Sequence, residues 1–342
     1  MSDHTTERPG SAEGQPSRLR AWAARHQVAL FFVAAFAFSW TIYLLLALIR
    51  PAGFNRWTLV AAYGPSMAAM LIARLADPKR ERSRPILQAA IFLLAFAAAA
   101  GLEWLDQKWW YHQISATLLI SAAVLVLLAA LVVSGVLSSR RGIRLLLQGL
   151  ARWRMNPAWY LIAFALWPVL VIAGNSLAGL LGLDVPVAPY RPTRIPIAIL
   201  AVESFFWYLL FAGPLNEEAG WRGFAQTRLQ HRFSPLVASI IVGALWGLWH
   251  VPVHLMGLYP GGAQGAIIRL FDIPLAVVFA WLFNRSRQSL LPVLILHAVV
   301  NTSSLFLPRN YLTSSMLILV LAVVLVFVDK MWRRRPEEAQ RP

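Results

Sequence analysis

No cysteine occurs among the 342 residues. That absence excludes disulfides, Cys-ligated zinc, iron–sulfur clusters and cysteine nucleophiles, and it leaves the redox compartment unmarked. Charge is scarce as well. Only 13% of the residues are charged, against about 25% in an ordinary soluble domain. Acidic residues number 15, and of the 31 basic residues only Lys79, Lys108 and Lys330 are lysine. Apolar residues fill the space instead, at 58% of the chain with a mean hydropathy of +0.60. These proportions exclude an ordinary soluble enzyme and a disordered chain alike. The net charge of +16 would suit a nucleic-acid partner. The arginines, however, sit in short loops between apolar runs. That is a membrane-topology pattern, with the lipid bilayer as surroundings and no nucleic-acid role.

Residues 1–27 are polar and rich in Gly, Pro, Ser and Arg, and read as a disordered cytoplasmic tail. The first apolar run, 28–49, is too long for a signal-peptide core and lacks a small-residue cleavage site, so it reads as a retained transmembrane helix. A bilayer core needs about 20 apolar residues per helix. Runs of that kind lie near 28–49, 57–75, 86–104, 114–137, 157–182, 195–213, 235–256, 266–284, 290–307 and 312–331. The expected fold is therefore all-α, a polytopic bundle of about ten transmembrane helices. The sixth run is followed by Pro214 and by charged residues that still look helical.

With the N-terminus in the cytoplasm and ten crossings, 24 of the 31 basic residues fall inside and 7 outside. This places both termini in the cytoplasm of a multi-pass protein of the cytoplasmic membrane. Trp and Tyr gather near the span ends, as interfacial belts do. The basic connector 142–150 reads either as an amphipathic helix on the inner surface or as a plain linker. No internal repeat is apparent.

Ionisable residues inside apolar segments mark function by default. Three places qualify. In the first, Glu218 and Arg222 share a helical face at i,i+4. Glu217 is rotated about 100° away and faces elsewhere. Glu218 is then held by Arg222, and Glu217 is left for a cavity, where it suits a general base. In the second, His250 and His254 are i,i+4 neighbours with Pro252 between them, a spacing that suits a metal but is weak evidence alone. In the third, His297 and Asn301 share a face, where an interhelical hydrogen bond would also explain them. Glu217, His250 and His297 all fall at depths inside the roughly 30 Å core, so the three places can meet in one buried pocket. Glu203 is a candidate supporting partner, and Arg269 and Asp272 are expected to pair near the outer surface.

Glu-Glu-x-x-x-Arg, aromatic-x-x-x-His and His-x-x-x-Asn, in successive apolar segments, resemble the CAAX prenyl protease and bacteriocin-processing family of intramembrane proteases. The likeness runs from about 195 to 306. It divides the chain into N-terminal scaffold helices over 28–190, a protease core over 195–306, a final helix over 312–331 and a basic cytoplasmic tail over 332–342. Trp221 and Trp246 stand where the family often has Phe, and His254 falls outside its motifs. The resemblance implies an intramembrane endopeptidase acting on a membrane-embedded or lipidated peptide or protein. Glu217 would activate water with help from His250, His297 and Asn301 would stabilise the oxyanion, and Glu218 and Arg222 would brace the site. The family has been described both as glutamate-dependent and as metal-dependent. Glu217, His250 and His297 are thus also a candidate His₂Glu zinc set. The alternatives are a non-catalytic immunity or partner-binding protein and a proton-coupled transporter. The lysine-poor, Arg- and Ala-rich composition points to a high-GC bacterium, where prenylated tails are not the expected substrate.

Overall fold

The computed structural model describes residues 18–50, 54–82, 84–110, 115–187, 195–259 and 261–334. Among these residues the fold is all-α, and the one β-type pairing is an isolated bridge between Arg80 and Arg140. Ten apolar helices form the bundle. They are α1 (Gln27–Ile49), α2 (Arg56–Ala76), α3 (Pro85–Trp110), α4 (Ala116–Leu137), α5 (Ala158–Leu180), α6 (Ile197–Gln230), α7 (Pro235–Leu255), α8 (Gly262–Arg285), α9 (Leu291–Phe306) and α10 (Tyr311–Val328). Nine are long and apolar enough to cross a membrane, and α9 is shorter at 16 residues. The chain is a multi-pass integral membrane protein. Its perimeter carries large apolar side chains such as Ile86, Leu48 and Leu94, which a bilayer covers and water would not.

The expected spans and the observed helices coincide closely, and the starts have local causes. Ser115, Ser234 and Asn310 accept backbone N–H bonds from the first turns of α4, α7 and α10. Each satisfies a donor that a helix start otherwise leaves orphaned. One local feature differs from expectation. Residues 18–25, assigned to the tail, form a short helix, Arg18–Arg25; residues 1–17 and 335–342 of the two expected tails lie outside the described residues. Helix α7 runs on through Pro252 and ends at Leu255. Helix α6 extends past Pro214 to 34 residues. The connector folds as Arg141–Leu147 with Leu146 and Leu147 buried, which favours the amphipathic reading.

Helix α2 is the most enclosed of the spans and α3 the most peripheral. Helix α6 lies across α2 with almost no separation, because a Cβ on Gly220 would sit 2.6 Å from the Pro65 carbonyl. Phe31 of α1 packs on Trp221 and Phe224 of α6, with ring centroids 5.6 and 5.1 Å apart. These contacts fix the segment that carries Glu217 and Glu218 against α1 and α2.

Candidate active site

The site begins at a break. Helix α6 is interrupted after Phe211, and Gly213 takes φ +111°, a conformation that an L side chain rarely adopts. Asn216 secures the corner. Its Oδ1 accepts the Gly213 N–H at 2.8 Å and its Nδ2 donates to the Phe211 carbonyl at 3.0 Å. Pro214, at the first helical position, restarts the helix. Glu217 thus falls in a new first turn, where the positive end of the helix favours a carboxylate. From Ala219 to Gln226 the backbone is π-helical, a local widening frequent at functional sites. The Thr227 hydroxyl donates to the Arg222 carbonyl at 3.0 Å inside that stretch.

Glu218 and Arg222 are both fully buried. Arg222 Nη1 lies 3.1 and 3.0 Å from the two carboxylate oxygens of Glu218. The guanidinium sits 4.7 Å from the ring centres of both Trp246 and Phe279. Two charges removed from water need compensation of this density. Glu218 Oε1 also takes a hydrogen bond from His297 Nδ1 at 2.7 Å. Nδ1 is thereby the protonated nitrogen, and His297 Nε2 is the one that faces Gly213: a Cβ on that glycine would lie 2.7 Å from it. Only glycine fits there, for conformation and for space.

Glu217 is held differently. Its Oε2 accepts the indole N–H of Trp246 at 2.7 Å and that of Trp221 at 3.3 Å. Both donors use the same oxygen. His250 Nδ1 lies 2.9 Å from the Trp246 carbonyl, one turn back on α7, and 3.7 Å from Asp272 Oδ2. With Nδ1–H donated, the neutral ring carries its lone pair on Nε2. Asn301 Nδ2 donates to the Ala212 carbonyl at 2.7 Å, tying α9 to the break in α6.

A cavity of about 510 Å³ unites these groups. Glu217, His250, His297 and Asn301 line it, while Glu218 and Arg222 stand behind His297. All six residues singled out from the sequence therefore belong to one connected cluster. His254 does not join it, because its Nε2 meets Arg269 Nε at 3.3 Å and its ring packs on Tyr259. Arg269 and Asp272 pair as expected, at 3.5 Å.

Among the described residues no three His, Asp or Glu side chains converge as metal ligands. Glu217, His250 and His297 share the cavity without converging as a His₂Glu set.

Sequence reasoning missed two things. It treated Trp221 and Trp246 as aromatic replacements and overlooked their N–H groups; the i,i+4 spacing of Glu217 and Trp221 was the available signal. It also gave the first helices no part in the pocket, yet Tyr43, Arg56 and Thr58 line the cavity. Arg56 pairs with Glu103 and with Asp106, and all three are buried. Trp207 donates to Glu103 at 2.9 Å, and Trp110 to Glu203 at 3.2 Å. Of these charged residues the sequence singles out only Glu203.

Residues 199–303 match the family model described as type II CAAX prenyl endopeptidase Rce1-like. That stretch holds every member of the six-residue cluster. This part of the chain is homologous to the CAAX prenyl protease family. A curated relative, CAAX prenyl protease 2 of Methanococcus maripaludis, is 29% identical over 136 residues, covering 36% of this chain and 50% of that protein. The match thus spans about half the length of the relative. The homologous stretch covers α6 to α9, from the helix with the break to the helix that carries His297 and Asn301.

Proposed function

We propose that the protein is an intramembrane endopeptidase that hydrolyses a peptide bond of a membrane-associated peptide or protein. The observation that carries this reading is the shared cavity, in which a carboxylate, two imidazoles and an amide from three helices face one space. Glu217 acts as general base. Its Oε2 is anchored by two indoles, which leaves Oε1 for a water molecule. Water attacks the scissile carbonyl carbon while its proton passes to Glu217, with His250 orienting the water. The carbonyl oxygen becomes an oxyanion. His297, when protonated, donates Nδ1–H to Glu218 and Nε2–H to that oxygen, and Asn301 supplies its second amide hydrogen. The proton on Glu217 then moves to the leaving amine as the C–N bond breaks. Glu218 and Arg222 touch no substrate and keep His297 in place.

The membrane is the cytoplasmic membrane, with both termini in the cytoplasm. The arginine bias of the loops supports this, with 24 of the 31 basic residues on one side. Prenylated tails are not the expected substrate, because the lysine-poor, Arg- and Ala-rich composition points to a high-GC bacterium.

Comparing peptide termini in membranes that hold equal amounts of wild type or Glu217→Gln tests the activity. Termini produced only by wild type are expected. Identical termini in both would reject peptidase activity and turn the polar cluster into a recognition pocket for a bound partner.

A further inference from the structure

The cavity has a direction. Glu217 and His297 line it from the interiors of α6 and α9. Its other lining residues reach helix ends and a loop: Arg56 opens α2, Tyr259 lies between α7 and α8, and Ser304 is two residues before the end of α9. Tyr43 stands in the last two turns of α1. The opposite ends of the same helices carry the basic residues. Arg25 precedes α1, Arg228 and Arg232 precede α7, and Arg285 and Arg287 lie between α8 and α9. Basic residues near span ends mark the cytoplasmic face.

From these two independent observations we infer that the cavity opens on the extracytoplasmic face, away from the basic loops. The inference rests on the peptidase reading above and specifies its substrate: an extended segment of an exported or membrane-anchored polypeptide that reaches the site from outside. A cytoplasmic tail would meet the wrong side of the bundle. At the mouth the Ser304 hydroxyl donates to the Asn301 carbonyl at 2.6 Å, and the two arginines there are each matched by carboxylates, Arg56 by Glu103 and Asp106 and Arg269 by Asp272. The mouth is therefore not a bare cationic patch that would draw lipid headgroups in.

The chain has no cysteine, so single thiols can be introduced into the full-length protein without a prior deletion. Ser304→Cys marks the exposed mouth, Val187→Cys the exposed loop after α5, and Ala151→Cys the basic connector. Each is treated with a membrane-impermeant polyethylene-glycol maleimide, in right-side-out and in inverted vesicles, and read as a gel shift. Ser304→Cys and Val187→Cys should shift in right-side-out vesicles, and Ala151→Cys only in inverted ones. The inference is overturned if Ser304→Cys shifts only in inverted vesicles. It is equally overturned if Val187→Cys shifts from either side while Ser304→Cys shifts from neither, since the mouth is then closed to water. Labelling needs no turnover, so a wrong orientation is distinguishable from a missing peptidase activity, which the Glu217→Gln comparison reads.

Discussion

Two buried arginines, Arg56 in the wall of the cavity and Arg222 behind it, are used in opposite ways. Arg222 is paired with one carboxylate, Glu218, between two aromatic rings, and that carboxylate passes its hold on to His297. Arg56 is gripped by Glu103 and Asp106 of α3 and lies 5.6 Å from the Trp207 ring of α6. The first cluster orients a side chain that faces the cavity. The second joins α2, α3 and α6 and ends there. Burying an ion pair gives little net stability against a well-packed apolar replacement, but removing one partner is costly. A buried charge is therefore best explained by what it positions. For Arg222 that is an imidazole; for Arg56 it is the arrangement of three helices around the cavity.

Substitutions can break or sharpen this contrast. The largest effect is expected for Glu217→Gln, which keeps the shape and removes the base. General-base catalysis contributes about 10²–10⁴-fold, and a loss of that order in the appearance of new termini, at unchanged thermal stability, is expected. Next is Glu218→Ala, which strands Arg222 and frees His297. Breaking a buried pair costs about 3–5 kcal/mol, so unfolding in detergent should occur at clearly lower temperature, and whatever remains folded should have lost activity too. Retained activity in the folded fraction would put Arg222 in the same class as Arg56.

Trp246→Phe preserves the ring beside Arg222 and deletes one N–H from Glu217. A hydrogen bond to a charged group is worth about 1.5–3 kcal/mol. Turnover should fall accordingly, and less so for Trp221→Phe, whose contact is longer at 3.3 Å against 2.7 Å. Equal effects of the two would mean that the indoles serve only as packing. The smallest effect belongs to Asp106→Asn, because Arg56 keeps Glu103. A stability loss of about 1–2 kcal/mol is expected, with turnover per folded molecule retained. A selective loss of turnover would erase the distinction between the clusters.

The helical spans were legible because lipid imposes one rule on every residue of a span, so apolar runs such as those of α1, α4 and α10 declare themselves. The i,i+4 pairs Glu218–Arg222 and His297–Asn301 were legible for a similar reason, since helix geometry alone sets which residues share a face. Contacts between distant helices were not. Nothing near Trp246 in the sequence announces that its N–H reaches Glu217, 29 residues away. Arg56, Glu103 and Asp106 sit at span ends, where a charge usually meets water, and only the packing of α2 against α3 and α6 buries them. The continuation of α6 beyond Pro214 was half visible, because proline is compatible with a helix start as well as a stop.

The π-helical stretch Ala219–Gln226 makes the site depend on length as well as on composition. Its far end is pinned where Gln230 accepts a hydrogen bond from Asn284 of α8, and its near end carries Glu217 and Glu218. Removing a single residue between them would take out the widened turn and shift both carboxylates relative to the pinned end. Glu217 would leave its indoles and Glu218 would leave His297, although every named side chain would still be present. Variation in this stretch is accordingly constrained to substitution, and an insertion or deletion there would yield a chain with its motifs intact and its site unassembled.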